Sequence, residues 1–229
     1  MCGEARATPL LRLLQISDTA FPTGSFSHST GLEAFAEAGE LRDAEDLQSV
    51  IEGHLSALAT SDCVALRASY EADFDRLLRI DRLLTATKLA RELRAASAST
   101  GQRFLLSVAA LGVEGAALGA FTKTVREGTT PGNLAVGYGV TAAALGLGPE
   151  ETLHAHLYAS AASLTAAGQK LIPLGGSTAQ RVLYEMGEEI MKVAKTSESM
   201  EVEDMYAFSP TIDVRSMMHE RQRTRLYIS

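Results

Sequence analysis

The residues best suited to chemistry lie close together between positions 18 and 33. The segment DTAFPTGSFSHSTGLE holds Pro22, two glycines, several hydroxyl side chains and, at its end, Glu33. Hydroxyl groups beside a carboxylate make a hydrogen-bonding surface rather than a packed one. Such a surface suits either an enzyme that uses Glu33 as acid and base on a small molecule, or a site that binds a partner. Gly31 costs about 1 kcal/mol relative to alanine inside a helix, which predicts close approach of another backbone there.

No other stretch of the sequence completes a catalytic set. The chain lacks the G-x-S-x-G, H-E-x-x-H and Walker A patterns. Residues 137–142 match the G-x-G-x-x-A dinucleotide pattern, but no strand-like run precedes them, so close packing of helices through small residues is the better interpretation. The glycine-rich turn near residue 175 opens a helix and lacks P-loop spacing, so we expect no nucleotide to bind there.

The histidines and cysteines predict no metal site. Cys2 and Cys63 are far apart and lack C-x-x-C spacing, which also indicates a reducing compartment. His54 lies on an apolar helix face and is interpreted as a core histidine. His154 and His156 stand two residues apart, so on a helix they point in different directions and are interpreted as surface histidines.

Composition limits the fold class of the protein and the kinds of partner it can bind. The chain has 229 residues, 46% of them hydrophobic, and alanine and leucine dominate, which favours helices over sheets. A net charge of −7 argues against nucleic acid as the main partner, because phosphate binding needs a basic surface. We find no secretory leader and no uncharged apolar span of transmembrane length, so we expect a soluble cytoplasmic protein without a membrane partner.

Helical periodicity predicts the helices that must position the candidate residues. Leucine and isoleucine recur at helical spacing between Leu47 and Leu58, after Asp43 as a good N-cap. A helix is predicted to start at Ser25, or five residues later where residues 30–33 fit a capping box. Pro149 is predicted to begin a long helix that ends before Pro173.

The remaining stretches are one more helix start, a charged helix face and two polar or basic segments. The helix that follows Pro173 should begin with a capping box formed by Ser177 and Gln180. Lys88, Glu92 and their charged neighbours are interpreted as a solvated face. Residues 196–209 are polar and acidic and are predicted to form a linker. Residues 210–229 are basic with apolar residues between, which is typical of a flexible end that orders only on a partner.

Four segments in order along the chain resemble one known family, the urease accessory protein F (UreF) family. They are residues 14–33, residues 91–94 with Gly101, residues 170–180, and the C-terminal set Pro210, Asp213, 218–220, 225–227 and Ser229. The first and fourth segments are specific, and the match covers almost the whole chain. His28, Gly176, Ala179 and Tyr227 depart from the usual residues of the family.

The resemblance implies an all-α, single-domain bundle of roughly eight to ten helices over residues 1–229, with residues 196–229 as linker and flexible docking tail. It also implies a non-enzymatic, dimeric scaffold that binds accessory protein D (also called H) and the GTPase accessory protein G. The assembly would act on apo-urease, with GTP bound by the GTPase and nickel handled by the complex, so this chain needs no cofactor of its own. The runner-up functions are the Glu33 enzyme and a helical interaction domain with an unrelated partner.

On this resemblance the partner-binding residues fall into two groups. One group comprises the 18–33 turn and the 170–180 segment, which would face the GTPase or the dimer contact. The other is the tail, which would order against protein D, its apolar residues anchoring and its arginines setting register. The candidate residues are Pro22, Gly24, Ser27, Ser29, Gly31, Glu33, Lys170, Gln180, His219, Glu220, Arg225, Leu226 and Tyr227. No catalytic or metal-binding residue is predicted.

Overall fold

Helices account for the fold throughout the part of the chain that the structure describes. The computed structural model describes residues 4–222 and 225–228; Cys2 and Ser229 lie outside them. Eleven α-helices and no strand occur in these residues, which confirms the predicted all-α class. The helices are α1 (Glu4–Ser17), α2 (Leu32–Glu37), α3 (Ala44–Ala59), α4 (Asp62–Tyr70), α5 (Phe74–Thr87), α6 (Arg91–Ala110), α7 (Ala116–Arg126), α8 (Leu134–Leu145), α9 (Pro149–Leu171), α10 (Gly176–Glu198) and α11 (Pro210–His219).

The best-predicted element is α3. The Asp43 side chain accepts hydrogen bonds from the backbone amides of Glu45 and Asp46, so it caps the helix as predicted. The leucine and isoleucine face of α3 is buried between α9 and α10. A periodic apolar face and a capping residue are both local signals, which is why the sequence alone located this helix.

Helix α8 lies between α4 and α6. Eight of its twelve residues are buried, and glycine, alanine and threonine make up five of these eight. A Cβ atom at Gly139 would lie under 3.0 Å from the Leu66 carbonyl oxygen on α4, and one at Gly137 would lie 3.3 Å from Leu105 on α6. The glycines therefore allow the helix backbones to come together, which confirms the packing interpretation of residues 137–142.

A buried carboxylate fixes the entry into α8. Asp81 on α5 is fully buried and accepts hydrogen bonds from Thr130 Oγ1 (2.6 Å) and from the backbone amides of Gly132 (2.8 Å) and Asn133 (2.7 Å). The loop that it holds packs directly on Gly101 of α6, where a Cβ would meet the Gly132 carbonyl oxygen. Each buried donor in this loop thus has its partner, as buried polar groups require.

Three local predictions were wrong. Residues 25–27 form only a short 3₁₀ turn, so no helix starts at Ser25; α2 begins at Leu32, close to the alternative start at residues 30–33, with left-handed Gly31 in place of a side-chain cap. Helix α10 begins at Gly176, so no capping box of Ser177 and Gln180 starts it. His156 is buried in α9 and is not a surface histidine.

The structure differs from the predicted linker over residues 196–209. Helix α10 continues through Glu198, and Val202 in the following turn is buried. The Tyr206 amide donates to the Thr60 carbonyl oxygen at 3.0 Å. Residues that were expected to separate a tail from the bundle therefore pack on the bundle.

The C-terminal segment is also ordered on its own chain. Helix α11 buries four of its ten residues, among them Ile212 and His219, and packs against α2, α3 and α6. Tyr227 beyond it is buried as well. No partner protein is needed for this segment to find a packing surface, in contrast to the expectation of a flexible tail.

Candidate functional site

The candidate site is built around His219, which is fully buried at the end of α11. Its Nδ1 atom lies 2.7 Å from Glu92 Oε2, and its Nε2 atom lies 3.1 Å from Glu33 Oε2. Glu33 and Glu92 stand in the first turns of α2 and α6. One imidazole therefore joins three helices that are remote in sequence. Both contacts are hydrogen bonds only when the ring carries both N–H protons or one carboxyl is protonated.

Glu33 binds the end of the chain through backbone amides. Its Oε1 atom accepts from the Leu226 amide at 2.7 Å, and its Oε2 atom accepts from the Tyr227 amide at 3.0 Å. Burial raises the pKa of Glu33, but the hydrogen bonds from the Leu226 amide, His219 and the Tyr227 amide outweigh it, so the pKa lies below its usual value. Glu33 is thus an anionic anchor for two successive peptide units.

Arg225 closes the other side of the site. Its Nη1 atom lies 2.8 Å from Glu92 Oε1, so the two oxygens of the Glu92 carboxylate bind Arg225 and His219 respectively. At the rim, Arg91 Nε lies 3.2 Å from Glu220 Oε2. We call the set of Glu33, Glu92, His219 and Arg225 the C-terminal clamp. It holds residues 219–222 and 225–227 against α2 and α6.

Gly31 shows why the sequence needs a glycine before α2. It has a φ of +84°, and a Cβ there would lie 3.0 Å from Ser216 Oγ and 3.2 Å from the Ser216 amide nitrogen. The predicted close approach of another backbone at Gly31 is therefore confirmed, and the approaching element is α11. This contact places Glu33, two residues later, next to His219.

Beyond the clamp, exposed and buried side chains alternate along residues 226–228. Tyr227 is buried, and its hydroxyl donates to the Ala167 carbonyl oxygen at 3.4 Å. The Ile228 amide donates to the Ser27 carbonyl oxygen at 2.8 Å, which joins the chain end to the 25–27 turn. On the outside, Leu226, Ile228 and Phe26 are 75%, 62% and 68% exposed. We call these three residues the tail patch.

Most of the predicted partner-binding residues meet at this place. Lys170 lies beside the tail, with Nζ 5.7 Å from the centre of the Tyr227 ring. Ser29 is buried beneath the first turn of α2, where its Oγ lies 3.5 Å from the Glu33 amide nitrogen. The members brought together are Ser27, Ser29, Gly31, Glu33, Lys170, His219, Glu220, Arg225, Leu226 and Tyr227.

Three predicted residues lie elsewhere. Pro22 and Gly24 contact α6, through the Ser107 hydroxyl and the Arg103 side chain. Gln180 lies on the exposed side of α10 and takes part in none of the contacts that build the clamp. The 18–33 turn and the 170–180 segment are therefore split between the clamp and other surfaces.

Sequence reasoning missed the role of Glu92. It was assigned to a solvated charged face, but the structure buries it between His219 and Arg225. The only local signal is an acid in the first turn of α6, which the helix dipole favours wherever the helix lies. Its partners follow more than a hundred residues later, so no spacing rule could connect them.

The geometry does not favour Glu33 as a catalytic acid and base. Both oxygens are occupied by donors of the chain itself, and Glu33 is not among the residues that line the large cavity described below. Within residues 4–222 and 225–228, no group of three or more His, Cys, Asp or Glu side chains is placed to hold a metal ion. Among the helices of the same residues, none is both long and apolar enough to cross a membrane.

Comparison with known proteins gives one family. The family model UreF matches residues 41–187, which is more than half of the chain. A protein of Paenarthrobacter aurescens named urease accessory protein UreF is 37% identical, covering 97% of this chain and 99% of its own length. Proteins of the same name from Kocuria rhizophila (35% identical, covering 99% of both chains) and an Arthrobacter species (33%, 96% of both) are similar over nearly the whole chain too. This chain belongs to the UreF family.

Proposed function

We propose that this chain is a non-enzymatic accessory factor in urease maturation, which acts by binding other accessory proteins. Family membership supports the role in maturation. The observation that carries the mode of action is the clamp, which fixes the end of the chain and leaves apolar side chains exposed. A surface held in place before binding loses little conformational entropy on association.

The tail patch is the proposed docking surface for accessory protein D. Leu226, Ile228 and Phe26 are large and exposed, and they lie on two segments joined by the hydrogen bond from the Ile228 amide. Lys170 and Arg225 supply charge at the edge. Exposed apolar side chains with a charged edge are typical of protein interfaces.

The remaining steps follow the family. The complex with protein D would bind the GTPase accessory protein G and apo-urease, and GTP hydrolysis would drive nickel insertion. GTP would bind to the GTPase and nickel would pass through the complex, so this chain would hold no cofactor. We place it in the cytoplasm with protein partners, since a net charge of −7 is poorly suited to nucleic acid.

A second surface supports the proposal of a homodimer. Gln180, Tyr184, Gly187 and Met191 follow helical spacing along the exposed side of α10. Tyr184 is 87% exposed, and a Cβ at Gly187 would meet nothing within 4 Å. A glycine in the middle of an exposed helix is costly unless another backbone comes close. We propose this face as the contact with a second copy.

The test of the docking surface is co-purification with protein D. The double variant Leu226→Ser with Ile228→Ser should lose most of the captured partner, because both apolar anchors are removed while the clamp is untouched. The matched control replaces Leu106 and Leu111 with serine; both are also exposed, but they lie on α6 and directly after its last residue. Point variants are preferable to truncation, because removing α11 would expose the buried carboxylate of Glu92.

The outcome separates docking from folding. Both double variants should melt within a degree or two of the unchanged chain, since surface substitutions alter stability little. If the tail variant captures protein D as well as the control does, the tail patch is not the docking surface.

A further inference from the structure

A cavity of about 210 Å³ lies beneath the 18–30 loop, with walls from α1, α3, α6, α8 and α9. Residues 207–213, which lead into α11, line it on another side. None of the clamp residues is among those that line it, so the cavity is separate from the candidate site described above. Its lining combines an apolar wall with several buried ionisable side chains.

The most informative lining residue is His156 on α9. It is only 7% exposed, and neither ring nitrogen has a hydrogen-bond partner within residues 4–222 and 225–228. Its ring packs on Tyr138, with the ring centres 5.1 Å apart. Burial lowers the pKa of His156, so the ring is neutral at pH 7 and offers one donor and one acceptor. Among the described residues the His156 nitrogens are not enclosed by protein atoms, so both remain open to a hydrogen-bonding group in the cavity.

A buried ion pair faces the same cavity. Lys88 Nζ lies 2.6 Å from Asp62 Oδ2, which also accepts from the Ser61 hydroxyl. Two N–H groups of the Lys88 ammonium, and the Oδ1 atom of Asp62, have no hydrogen-bond partner among the described side chains and backbone. The pair therefore adds both donors and an acceptor to the lining.

The charged lining groups are one ion pair and two further carboxylates. Asp62 neutralises Lys88, and burial lowers the pKa of His54 to about 4, so that ring is neutral as well. Asp18 lies at the exposed rim of the cavity, and the Asp213 carboxylate accepts from the Ser209 amide at 3.4 Å. These two carboxylates would repel an anion, whereas an uncharged polar group would find donors and acceptors already placed.

The apolar part of the lining sets the size and shape of an occupant. Phe104, Leu134 and Leu164 face the cavity. An engineered apolar cavity of about 150 Å³ holds benzene, so about 210 Å³ accommodates one ring with a small polar group.

We propose that this cavity binds a small uncharged molecule, about one aromatic ring in size, that carries a hydrogen-bond donor next to an acceptor, as a primary carboxamide does. The polar group bonds to His156 and to the Asp62–Lys88 pair. The ring packs on Phe104 and Leu164. This binding is independent of the docking of accessory proteins.

The test is titration of the full chain with benzamide, followed by calorimetry and by protein NMR. We expect saturable binding, weakened about tenfold or more in His156→Phe, which keeps a ring against Tyr138 but removes both nitrogens. The matched control is His154→Phe, the same change two residues away on the same helix and outside the cavity lining. Benzoate, the anionic counterpart of benzamide, should bind more weakly than benzamide to the unchanged chain.

A second variant keeps the proposal testable if His156→Phe does not fold. Ala96→Leu on α6 adds volume inside the lining without removing a polar group, and it should abolish binding of benzamide. The proposal is overturned if benzamide does not bind, or if it binds His156→Phe or Ala96→Leu as well as the unchanged chain. Tighter binding of benzoate would indicate an anion site, and binding of Zn²⁺ that depends on His156 would indicate a metal site; either result overturns the proposal.

Discussion

Glu33 illustrates how one residue can serve several elements at once. Its carboxylate contacts His219 on α11 and the backbone amides of Leu226 and Tyr227 beyond that helix. Only a carboxylate, with its negative charge and two oxygens, can accept hydrogen bonds from the imidazole and both amides. Substitution by glutamine leaves one oxygen and turns a second group into a donor that faces other donors.

We predict that Glu33→Gln destabilises the chain at pH 7 by about 1–3 kcal/mol, because the buried His219 ring and the two backbone amides lose a charged acceptor. For a protein of this size each kcal/mol lowers the melting temperature by about 2–4 °C. Because the pKa of Glu33 is lower folded than unfolded, its stabilisation is complete above the ordinary glutamate pKa of about 4.3 and is lost as pH falls through the folded value. The gap between the two melting temperatures should therefore narrow on acidification.

Thermal melts between pH 7 and pH 3 measure that gap, with exposed Glu114→Gln as control. A gap that stays constant over this range would show that the charge of Glu33 contributes nothing to the clamp.

At the scale of single residues, the sequence identified part of the clamp. The resemblance to a family made candidates of Glu33, His219 and Arg225. Gly31 was a candidate for a different reason, since glycine destabilises a helix relative to alanine. Their mutual contacts were out of reach. The carboxylate of Glu33 lies 186 positions before His219, and Glu92 lies 127 before it, so only the folded chain reveals them as partners.

At the scale of helices, local signals decided what could be predicted. Helix α3 has a periodic apolar face and a capping aspartate, and α9 begins and ends at prolines as expected. Helix α2 begins near the second of its two predicted starts and not at Ser25, because left-handed Gly31, which has no side chain to act as a cap, precedes it. The ordering of α11 depends on contacts with α2 and α6 that no local pattern contains.

Two glycines in helices give a paired prediction at this scale. Gly139→Ala in α8 should destabilise the chain by about 1–3 kcal/mol, since its Cβ would press on the Leu66 carbonyl oxygen. Gly187→Ala in α10 should stabilise a dilute, monomeric sample by about 0.5–1 kcal/mol, since the site is open. Urea unfolding of both variants checks the signs. If both variants change the free energy of unfolding by the same amount, α8 can move away from α4 without loss of stability.

At the scale of the whole molecule, the composition sufficed for the fold class. A chain rich in alanine and leucine, with two cysteines and no strand-like runs, predicts a helical protein, and the described residues form one. The core is continuous from α1 to Tyr227. The prediction of a flexible tail was wrong, because a basic segment resembles a flexible end unless the acidic residues of the same chain that bind it are known.

The exposed face of α10 gives a prediction about assembly. Tyr184→Ser should shift the mass measured by light scattering from that of a dimer towards that of one 24.4 kDa chain, with the circular dichroism spectrum unchanged. The control is Tyr158→Ser, since Tyr158 is also well exposed but lies on α9. Unchanged mass in Tyr184→Ser, with the unchanged chain dimeric, would place the dimer contact elsewhere.

The distance along the chain between the two halves of the clamp has a consequence for how the protein is made. Glu33 and Glu92 leave the ribosome long before His219 and Arg225 are translated. Contacts between residues so far apart form late, after the rest of the bundle. A chain that stops before His219 therefore lacks the residues that pair with Glu33 and Glu92, and it cannot close the clamp. The tail patch is held in place only after Arg225 has been translated.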